Sequence, residues 1–287
     1  MGAVRDAVLV AAGLGTRMFP SSAYIAKETL PLIDIPLLSH LVLEAKAAGI
    51  ERLHIVISPN KSFEGMFEDR RELHALRSHL DATLFNIADG LTIHTHIQHQ
   101  AKGVGDAILC ALDDIEGPFL VMLGDNLLMD THSPSSGYMP TMASHRLITA
   151  HADRSGATVA LMEVRAEEVQ AYGVVGLHGD IITDIVEKPH PSQAPSRFVL
   201  CGRYVFPSTT KALLEQLPWE QYGELQSIAL QKQLMAQGML RGYVLENTQW
   251  YDSGSPEKWL QAQVDHALRR PDLAPLFSSW LKQRLDD

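Results

Sequence analysis

The sequence has few cysteines, no long apolar run and no excess of positive charge. Its two cysteines, Cys110 and Cys201, lie in apolar surroundings, so we expect reduced core residues of a cytoplasmic protein rather than a disulfide framework. No apolar segment approaches the roughly 20 residues that cross a membrane. The first residues contain no basic segment leading into a signal-peptide core. We therefore expect a cytoplasmic protein with no membrane partner.

The charge balance argues against a nucleic-acid binder. The chain has 24 Lys and Arg against 34 Asp and Glu, a net charge of −10, which disfavours a general affinity for polyanions. A protein of this charge that binds an anionic ligand must hold its positive charge locally, so Lys and Arg inside motifs are informative. The length of 287 residues, with 46% hydrophobic and 20% charged residues, is typical of one large α/β domain or two smaller ones.

Two common phosphate-binding loops are missing. The pattern GxxxxGK[ST] does not occur, which excludes a P-loop NTPase. The dinucleotide pattern GxGxxG also fails, because Met18 stands where its third glycine belongs. This absence argues against a nicotinamide-dependent oxidoreductase.

Residues 8–32 are the stretch around which the chain is organised. An apolar run at 7–12 predicts a buried strand, and Gly13 and Gly15 follow it at once. Two glycines one residue apart allow a sharp turn that brings backbone N–H groups against a ligand. Arg17 and Lys27 add cations suited to phosphate oxygens. The turn alone fits equally well a tight connection between a strand and a helix.

Two linked motifs resemble those of sugar-1-phosphate nucleotidylyltransferases. They are AAGLGTRM at 11–18 and KETLPL at 27–32, and they look most similar to bacterial UTP–glucose-1-phosphate uridylyltransferases. The resemblance extends from residue 7 to about 267. It implies an α/β fold: a Rossmann-like, three-layer arrangement with a mixed, mainly parallel sheet, helices on both faces and a small β-rich sugar-binding insertion.

The order of predicted elements agrees with such a fold. Helices at 36–48, 63–80 and 104–112 alternate with strands at 53–58, 91–98 and 118–124, which predicts a parallel sheet with right-handed crossovers. Later strands at 157–164, 199–206 and 240–245, and a hairpin turning at Gly179, leave this alternation. We expect one domain at 1–270, with its sugar-binding part at about 157–206, and a C-terminal helix at 271–287 that contacts its own domain or a second subunit.

Three histidines close together raise the question of a metal site. His94, His96 and His99 lie on or beside the strand predicted at 91–98, and His-x-His places two side chains on one face. No Asp, Glu or Cys within this segment completes a ligand set. We therefore favour an exposed strand face that is rich in histidine.

The nucleotide-binding residues are those implied by the resemblance. The segment 98–107, QHQAKGVGDA, is similar to one with which the family holds the base, although a simple strand–helix turn with Lys102 in solvent fits it equally well. With the glycine turn and the KETLPL motif, it gives the following set: Ala12, Gly13, Gly15, Glu28, Gln98 and Gly103.

Two aspartates are candidate Mg²⁺ ligands by the same resemblance. Asp125 closes the apolar run at 118–124, at the carboxyl end where open α/β sheets bind ligands, and a carboxylate there suits Mg²⁺. Asp252 lies in WYDSG at 250–254. Each aspartate is also explained by a simple cap or turn. The LGDN segment at 123–126 is nearer the form found in thymidylyltransferases, which keeps the nucleotide open.

The sugar phosphate is expected to contact Gly173, Glu187 and Lys188. They lie in YGVV at 172–175 and VEKP at 186–189, segments that resemble the sugar-binding ones of the family. A solvated Glu–Lys pair is the simpler explanation of the second segment. At 223–229 the sequence GELQSIA lacks the aspartate of the corresponding family segment, which weakens the local inference about the sugar.

The reaction implied is attack by a sugar 1-phosphate on the α-phosphorus of a nucleoside triphosphate, with pyrophosphate leaving. Arg17 is expected to bind the leaving phosphates, Lys27 the α-phosphate and Lys188 the sugar phosphate, with Mg²⁺ on the two aspartates. The expected partners are UTP and glucose 1-phosphate, and further copies of the chain in a dimer or tetramer. The alternatives are dTTP or another sugar phosphate, and a non-catalytic regulatory relative, which would lack one of these residues.

Overall fold

The computed structural model describes residues 2–152, 155–217 and 224–286. The strands are β1 Asp6–Val10, β2 Pro31–Leu32, β3 Ile35–Pro36, β4 Arg52–Ile57, β5 Thr92–Ile97, β6 Phe119–Leu123, β7 Asn126–Met129, β8 Ala157–Glu163, β9 Gly173–His178, β10 Ile181–Glu187, β11 Phe198–Phe206, β12 Leu240–Val244 and β13 Gln249–Asp252. The helices are α1 Leu37–Ala47, α2 Arg71–His74, α3 Val104–Leu109, α4 Ala143–His151, α5 Thr210–Glu215, α6 Ser227–Ala236, α7 Pro256–Arg269 and α8 Ala274–Asp286.

Nine of the described strands form one mixed sheet in the order β5-β4-β1-β6-β11-β8-β12-β10-β9. The first four run parallel, as their alternation with helices predicts. β11 is antiparallel to both β6 and β8, whereas β12 is parallel to β8. The carboxyl ends of β1, β4 and β6 therefore lie side by side, which places the loops after them along one edge of the sheet.

Helices cover both faces of this sheet, because successive side chains of a strand point to opposite sides. Ala7 and Leu9 of β1 belong to one core cluster with Leu41 of α1. Val8 between them belongs to a second cluster with Ile108 of α3. The predicted three-layer α/β fold is confirmed.

The strands at 157–206 belong to the same sheet. β9 and β10 form an antiparallel hairpin that turns at Gly179, as the sequence predicts, and one further pair joins Val174 of β9 to Val199 of β11. This region therefore takes part in every antiparallel pair of the main sheet, although β8 also has a parallel neighbour in β12.

The predicted helix at 63–80 is wrong. The segment contains two 3-10 turns, Glu64–Met66 and Ala75–Arg77, and the four-residue helix α2. Leu73 and Leu76, expected on a buried side, are 42% and 78% exposed. Short helices depend on the packing of an apolar face, which these leucines do not have.

The other helices are confirmed with changes at their ends. The helix predicted at 104–112 stops at Leu109 and is followed by a 3-10 turn, Leu112–Asp114. α4 ends at His151, and Asp153 lies outside the described residues. The C-terminal helix expected at 271–287 begins at Ala274, as α8, and contains no buried residue.

Both cysteines are free, and burial raises the pKa of the Cys201 thiol to about 12. No helix in the described parts of the chain combines the length and apolarity needed to span a membrane.

Candidate active site

The loop after β1 is held in place by a lysine that no motif identified. The Lys61 ammonium donates to the carbonyl oxygens of Ala11 and Gly13, each at 2.7 Å, and to both carboxylate oxygens of Glu28, at 3.0 and 2.9 Å. Burial lowers the pKa of Lys61, and the Glu28 carboxylate opposes that effect. Glu28 is 1% exposed, so these bonds fix the predicted nucleotide-binding loop from beneath.

The glycine turn itself is tight. Gly15 adopts a φ of +66°, in the left-handed region that glycine enters without strain, and its carbonyl accepts a 2.7 Å bond from the Ser22 hydroxyl. Gly13 is exposed and Ala12 is buried beside it. The turn therefore presents backbone at the surface, next to the carboxyl end of β1.

Lys27 and Asp125 meet at this edge. The Lys27 ammonium lies 3.1 Å from Asp125 Oδ2, and the Lys27 side chain is 9% exposed. Lys27 arrives on a 3-10 turn, Lys27–Thr29, after the glycine loop, and Asp125 directly follows β6. Two groups predicted from separate motifs are thus in direct contact.

A small antiparallel pair of strands brings Asp252 to the same place. β7 pairs with β13 so that Asn126 is opposite Asp252, and the Ser253 N–H donates to the Asp125 carbonyl at 2.9 Å. Asp252 Oδ1 accepts from the Gly254 N–H at 2.7 Å, and Oδ2 accepts from Lys258 Nζ at 2.6 Å. The two predicted metal ligands are therefore neighbours across one ladder.

Arg17 lies beside Asp252. A Cβ at Gly254 would lie 2.8 Å from Arg17 Nη2 and 2.6 Å from Asp252 Oδ1, so only a glycine leaves room for the guanidinium. Arg17 is exposed and makes no ion pair with the residues that the structure describes. Its donors are available to an anionic ligand.

The two carboxylates suit a hard divalent cation. Carboxylate oxygens are the ligands that Mg²⁺ prefers, and each oxygen has two lone pairs. Asp125 uses one lone pair of Oδ1 for Asn126 Nδ2 and one of Oδ2 for Lys27. Asp252 likewise uses one lone pair of Oδ1 for the Gly254 N–H and one lone pair of Oδ2 for Lys258. Each carboxylate therefore keeps acceptor capacity for an ion.

The loop at Gln98 and Gly103 packs against Leu225. Gln98 is 7% exposed, and its amide nitrogen donates to Gly103 O at 3.0 Å and to Asp106 Oδ2 at 2.8 Å. Leu225 N donates to Lys102 O, and Gly105 N donates to Leu225 O, both at 2.7 Å. The Gln98 amide nitrogen is committed within the loop, so its carbonyl oxygen is the side-chain atom left to accept from a ligand, as far as the described residues show. Gly223 of the GELQSIA segment lies outside the described residues.

Gly173, Glu187 and Lys188 come together on the β9–β10 hairpin. Gly173 is paired with Glu187, and a Cβ at Gly173 would lie 3.1 Å from Glu187 Oε2. Lys188 N donates to Tyr172 O at 2.9 Å, and the Lys188 side chain is 63% exposed, 3.8 Å from Glu187. This cluster is exposed, as a docking site for a small polar ligand must be.

Aromatic rings connect this hairpin to the aspartates. The rings of Tyr172 and Trp250 have centroids 4.7 Å apart, and Trp250 Nε1 donates to Asn126 Oδ1 at 2.7 Å. Lys258 Nζ lies 5.3 Å from the Tyr172 ring centroid. Burial alone would lower the pKa of Lys258, but its bond to Asp252 raises it above the ordinary value. Lys258 is thus a further cation of the site that sequence reasoning missed.

A buried ion pair supports the aspartates from below. Arg203 and Glu44 are both fully buried and form a bidentate pair with two 2.9 Å bonds, and Arg203 also donates to Asn126 O at 2.8 Å. The signal in the sequence was an arginine inside the apolar run at 198–206. A buried charge in a strand needs a partner, but the sequence did not indicate Glu44.

Residues 6–268 match the model of the nucleotidyl transferase family, and the chain belongs to that family. Some of its relatives carry more specific names. It is 31% identical to the UTP–glucose-1-phosphate uridylyltransferase YngB of Bacillus subtilis (strain 168), over 97% of this chain and 95% of that one. Within the nucleotidyl transferases, it therefore belongs with the UTP–glucose-1-phosphate uridylyltransferases.

Solved structures agree with this placement. A UTP-bound UGPase from Acinetobacter baumannii superposes with a TM-score of 0.81 at 29% identity, covering 97% of this chain and 99% of that one. A UDP-glucose pyrophosphorylase complexed with UDP-glucose gives a TM-score of 0.77 at 32% identity, covering 92% and 98%.

Proposed function

We propose that this protein transfers the uridylyl group of UTP to glucose 1-phosphate, giving UDP-glucose and pyrophosphate. The observation that carries the proposal is the meeting of Lys27, Asp125, Asp252 and Arg17 at the carboxyl edge of the sheet, in a chain of this family. Two cations and two carboxylates at one place suit a reaction between two anions, where charge neutralisation and in-line positioning carry most of the catalysis.

The chemistry needs no nucleophilic side chain, because the phosphate oxygen of the sugar substrate attacks the α-phosphorus directly. Arg17 is free to bind the β- and γ-phosphates that leave as pyrophosphate. Lys27 holds the α-phosphate and stabilises the charge that develops there. Asp125 and Asp252 would hold Mg²⁺, which would screen the repulsion between the two anionic substrates. Lys258 donates to Asp252 Oδ2 at 2.6 Å and orients that carboxylate.

The two ligands are assigned to opposite sides of this centre. Lys188 orients the sugar phosphate, and Gly173 and Glu187 hold the sugar on the β9–β10 hairpin. The base and ribose are assigned to the remaining predicted residues: Ala12, Gly13, Gly15, Glu28, Gln98 and Gly103. The Lys61 clamp supports this assignment, since it fixes the loop from Ala11 to Gly13 and Glu28 as one unit.

The test is pyrophosphate release in the presence of Mg²⁺, with UTP, dTTP, CTP and ATP each crossed with glucose 1-phosphate and other sugar 1-phosphates. Turnover that is strongest with UTP and glucose 1-phosphate supports the proposal. Preference for dTTP would favour the alternative suggested by Leu123, Gly124, Asp125 and Asn126. Nucleotide binding without release for any pair would favour a regulatory relative and overturn the catalytic proposal.

We also propose that residues 1–270 act as one domain in the cytoplasm, and that α8 joins copies of the chain in a homo-oligomer. Leu276 is 82% exposed and Trp280 is 50% exposed, with the Trp280 ring stacked on Phe277 at 5.8 Å. An exposed apolar helix face favours association.

Light scattering tests the oligomer. The variant Leu276→Lys is expected to lower the molecular mass of the particle, whereas Lys282→Ala on the same helix leaves it unchanged. A monomeric unmodified protein would contradict the proposal.

A further inference from the structure

Three histidines form a ladder on one face of the sheet, away from the candidate active site. His54 of β4 is paired with His94 of β5, and Val56 with His96. The His54 ring is fully buried and stacks on both others, with centroids 4.8 Å from His94 and 5.2 Å from His96. The segment around His94 contains no acidic ligand, and His54 lies on a different strand, so the sequence favoured an exposed strand face rich in histidine.

The partner comes from the turn after α3. His54 Nδ1 lies 3.0 Å from His96 Nε2, which lies 4.0 Å from Asp114 Oδ2. The donor atoms of these three residues all lie within 4.8 Å of one another. Two imidazole nitrogens and a carboxylate oxygen from three separate segments thus converge on one point.

A second carboxylate fixes the orientation of His54. Asp6 Oδ1 lies 3.2 Å from His54 Nε2, and the Arg52 guanidinium donates to both oxygens of Asp6 at 2.6 Å. Because a carboxylate that binds a guanidinium through both oxygens is an acceptor, the tautomer that satisfies this contact carries the His54 proton on Nε2 and presents the lone pair of Nδ1 to His96 and Asp114. This carboxylate–histidine arrangement is the one that protein metal sites use to orient a ligand.

We propose that His54, His96 and Asp114 bind a divalent transition-metal ion of the Zn²⁺ type, with Asp6 as the positioning residue. Imidazole nitrogens favour Zn²⁺ and similar ions, whereas Mg²⁺ prefers oxygen ligands. Three protein ligands leave the fourth position of a tetrahedral site to water. The alternative is a hydrogen bond from His96 Nε2–H to His54 Nδ1, with no role for an ion.

An acidic pocket lies beside one of the three proposed ligands. It has a volume of about 310 Å³ and is lined by Arg52, Asp113, Asp114 and Glu116. Three carboxylates against one guanidinium make its lining negative, which attracts cations. The ion would join β4, β5 and the turn that ends the α3 segment.

The experiment is titration of the chelator-treated full chain with Zn²⁺ by calorimetry, and with Co²⁺ by visible absorption, without substrates. One ion is expected to bind per chain, with the d–d absorption of a four-coordinate Co²⁺ site. The variant His96→Gln is expected to weaken binding at least about tenfold, whereas His99→Gln, an exposed histidine three residues further on, leaves it unchanged.

Two further variants keep the test decisive. Asp114 is exposed, so Asp114→Asn removes a ligand without disturbing the core, and it too is expected to weaken binding at least about tenfold. The double variant Asp125→Asn/Asp252→Asn removes the other candidate cation site and is expected to retain the Co²⁺ spectrum. Absence of binding, or binding lost in the double variant but kept in His96→Gln and Asp114→Asn, would overturn the proposal.

Discussion

Lys27 lies 3.1 Å from the candidate metal ligand Asp125 and is nearly buried. We predict that Lys27→Ala lowers kcat by a factor of about 10² to 10³, because an ammonium aimed at the developing charge is lost. The fold is expected to remain intact, which circular dichroism checks. The control is Lys46→Ala, which removes a lysine 3.9 Å from Asp89 at the surface. Near-normal turnover of the Lys27 variant would disprove the assigned role.

Lys61 holds a loop in place through its bonds to Ala11, Gly13 and Glu28 and need not touch the substrate. Lys61→Met leaves Glu28, 1% exposed, without its cation, and should lower the free energy of unfolding by about 3 kcal/mol, as urea denaturation would measure. The KM for the nucleotide should rise as the loop loosens.

The double variant Lys61→Met/Glu28→Gln separates these effects. Removing both charges should recover part of the stability lost in Lys61→Met, because no buried charge is left unpaired. A double variant less stable than the single one would show that the pair is not the source of the effect.

Individual site residues could be predicted from the sequence where they lie in short contiguous motifs. Arg17 and Lys27 lie within residues 8–32, and the contact of Lys27 with Asp125 follows from the shared edge of parallel strands. Lys61 and Lys258 lie outside such motifs, and only tertiary contacts bring them to Glu28 and Asp252. His54 and Asp114 were missed beside His96 for the same reason.

Among the elements, the turn that opens α3 is the most constrained. Gly103 has a φ of +97°, and a Cβ there would lie 2.5 Å from Leu225 O. Gly103→Ala should therefore separate the loop from Leu225 and raise the KM for the nucleotide at least tenfold (about 1.4 kcal/mol). Steady-state kinetics measure this.

Gly90→Ala is the matched control. Gly90 also has a positive φ, of +80°, but nothing lies within 4 Å of the added Cβ. Gly90→Ala should lower the free energy of unfolding by about 1 kcal/mol through backbone strain and leave the KM for the nucleotide unchanged. Equal effects of the two substitutions on KM would show that close packing against Leu225 is unimportant.

Elements with a consistent apolar pattern were predicted well, as α1 and β6 illustrate. The segment 63–80 was predicted wrongly because its three leucines have helical spacing, but Leu73 and Leu76 find no surface to pack on. Spacing describes which side chains share a face, and only the tertiary structure decides whether that face is buried.

For the whole molecule, buried histidines set the expected response to acid. Burial lowers the pKa of His40 to about 3 and that of His266 to about 4, against an ordinary value of 6.5. Between these values and 6.5 the unfolded chain binds protons that the folded chain does not. The free energy of unfolding should therefore be highest above pH 6.5 and fall as the pH is lowered towards 4, by up to about 1.4 kcal/mol per pH unit for each such histidine.

Urea denaturation at pH 7, 6 and 5 measures that slope. His40→Met should reduce the slope by the contribution of one histidine. The substitution also removes the 2.9 Å bond to Tyr138 and so lowers the free energy of unfolding at every pH. His99→Met, at an exposed position, should leave the slope unchanged. A slope that is the same in all three proteins would contradict the explanation.

The parallel half of the sheet was predictable because each strand is followed by a helix that returns the chain to the next position. The order of the remaining strands could not be predicted, since β11 lies between β6 and β8, and β12 lies between β8 and β10. Such an order depends on pairings between distant segments, which the apolar pattern of each segment does not encode.

The ladder between β7 and β13 joins two segments separated by nearly half of the chain. During translation, Arg17, Lys27 and Asp125 are synthesised long before Asp252. A nascent chain that stops before Gln249 contains all nine strands of the main sheet but lacks the second carboxylate and Lys258. On the proposed mechanism, prematurely terminated products are inert, and turnover begins only when translation is almost finished.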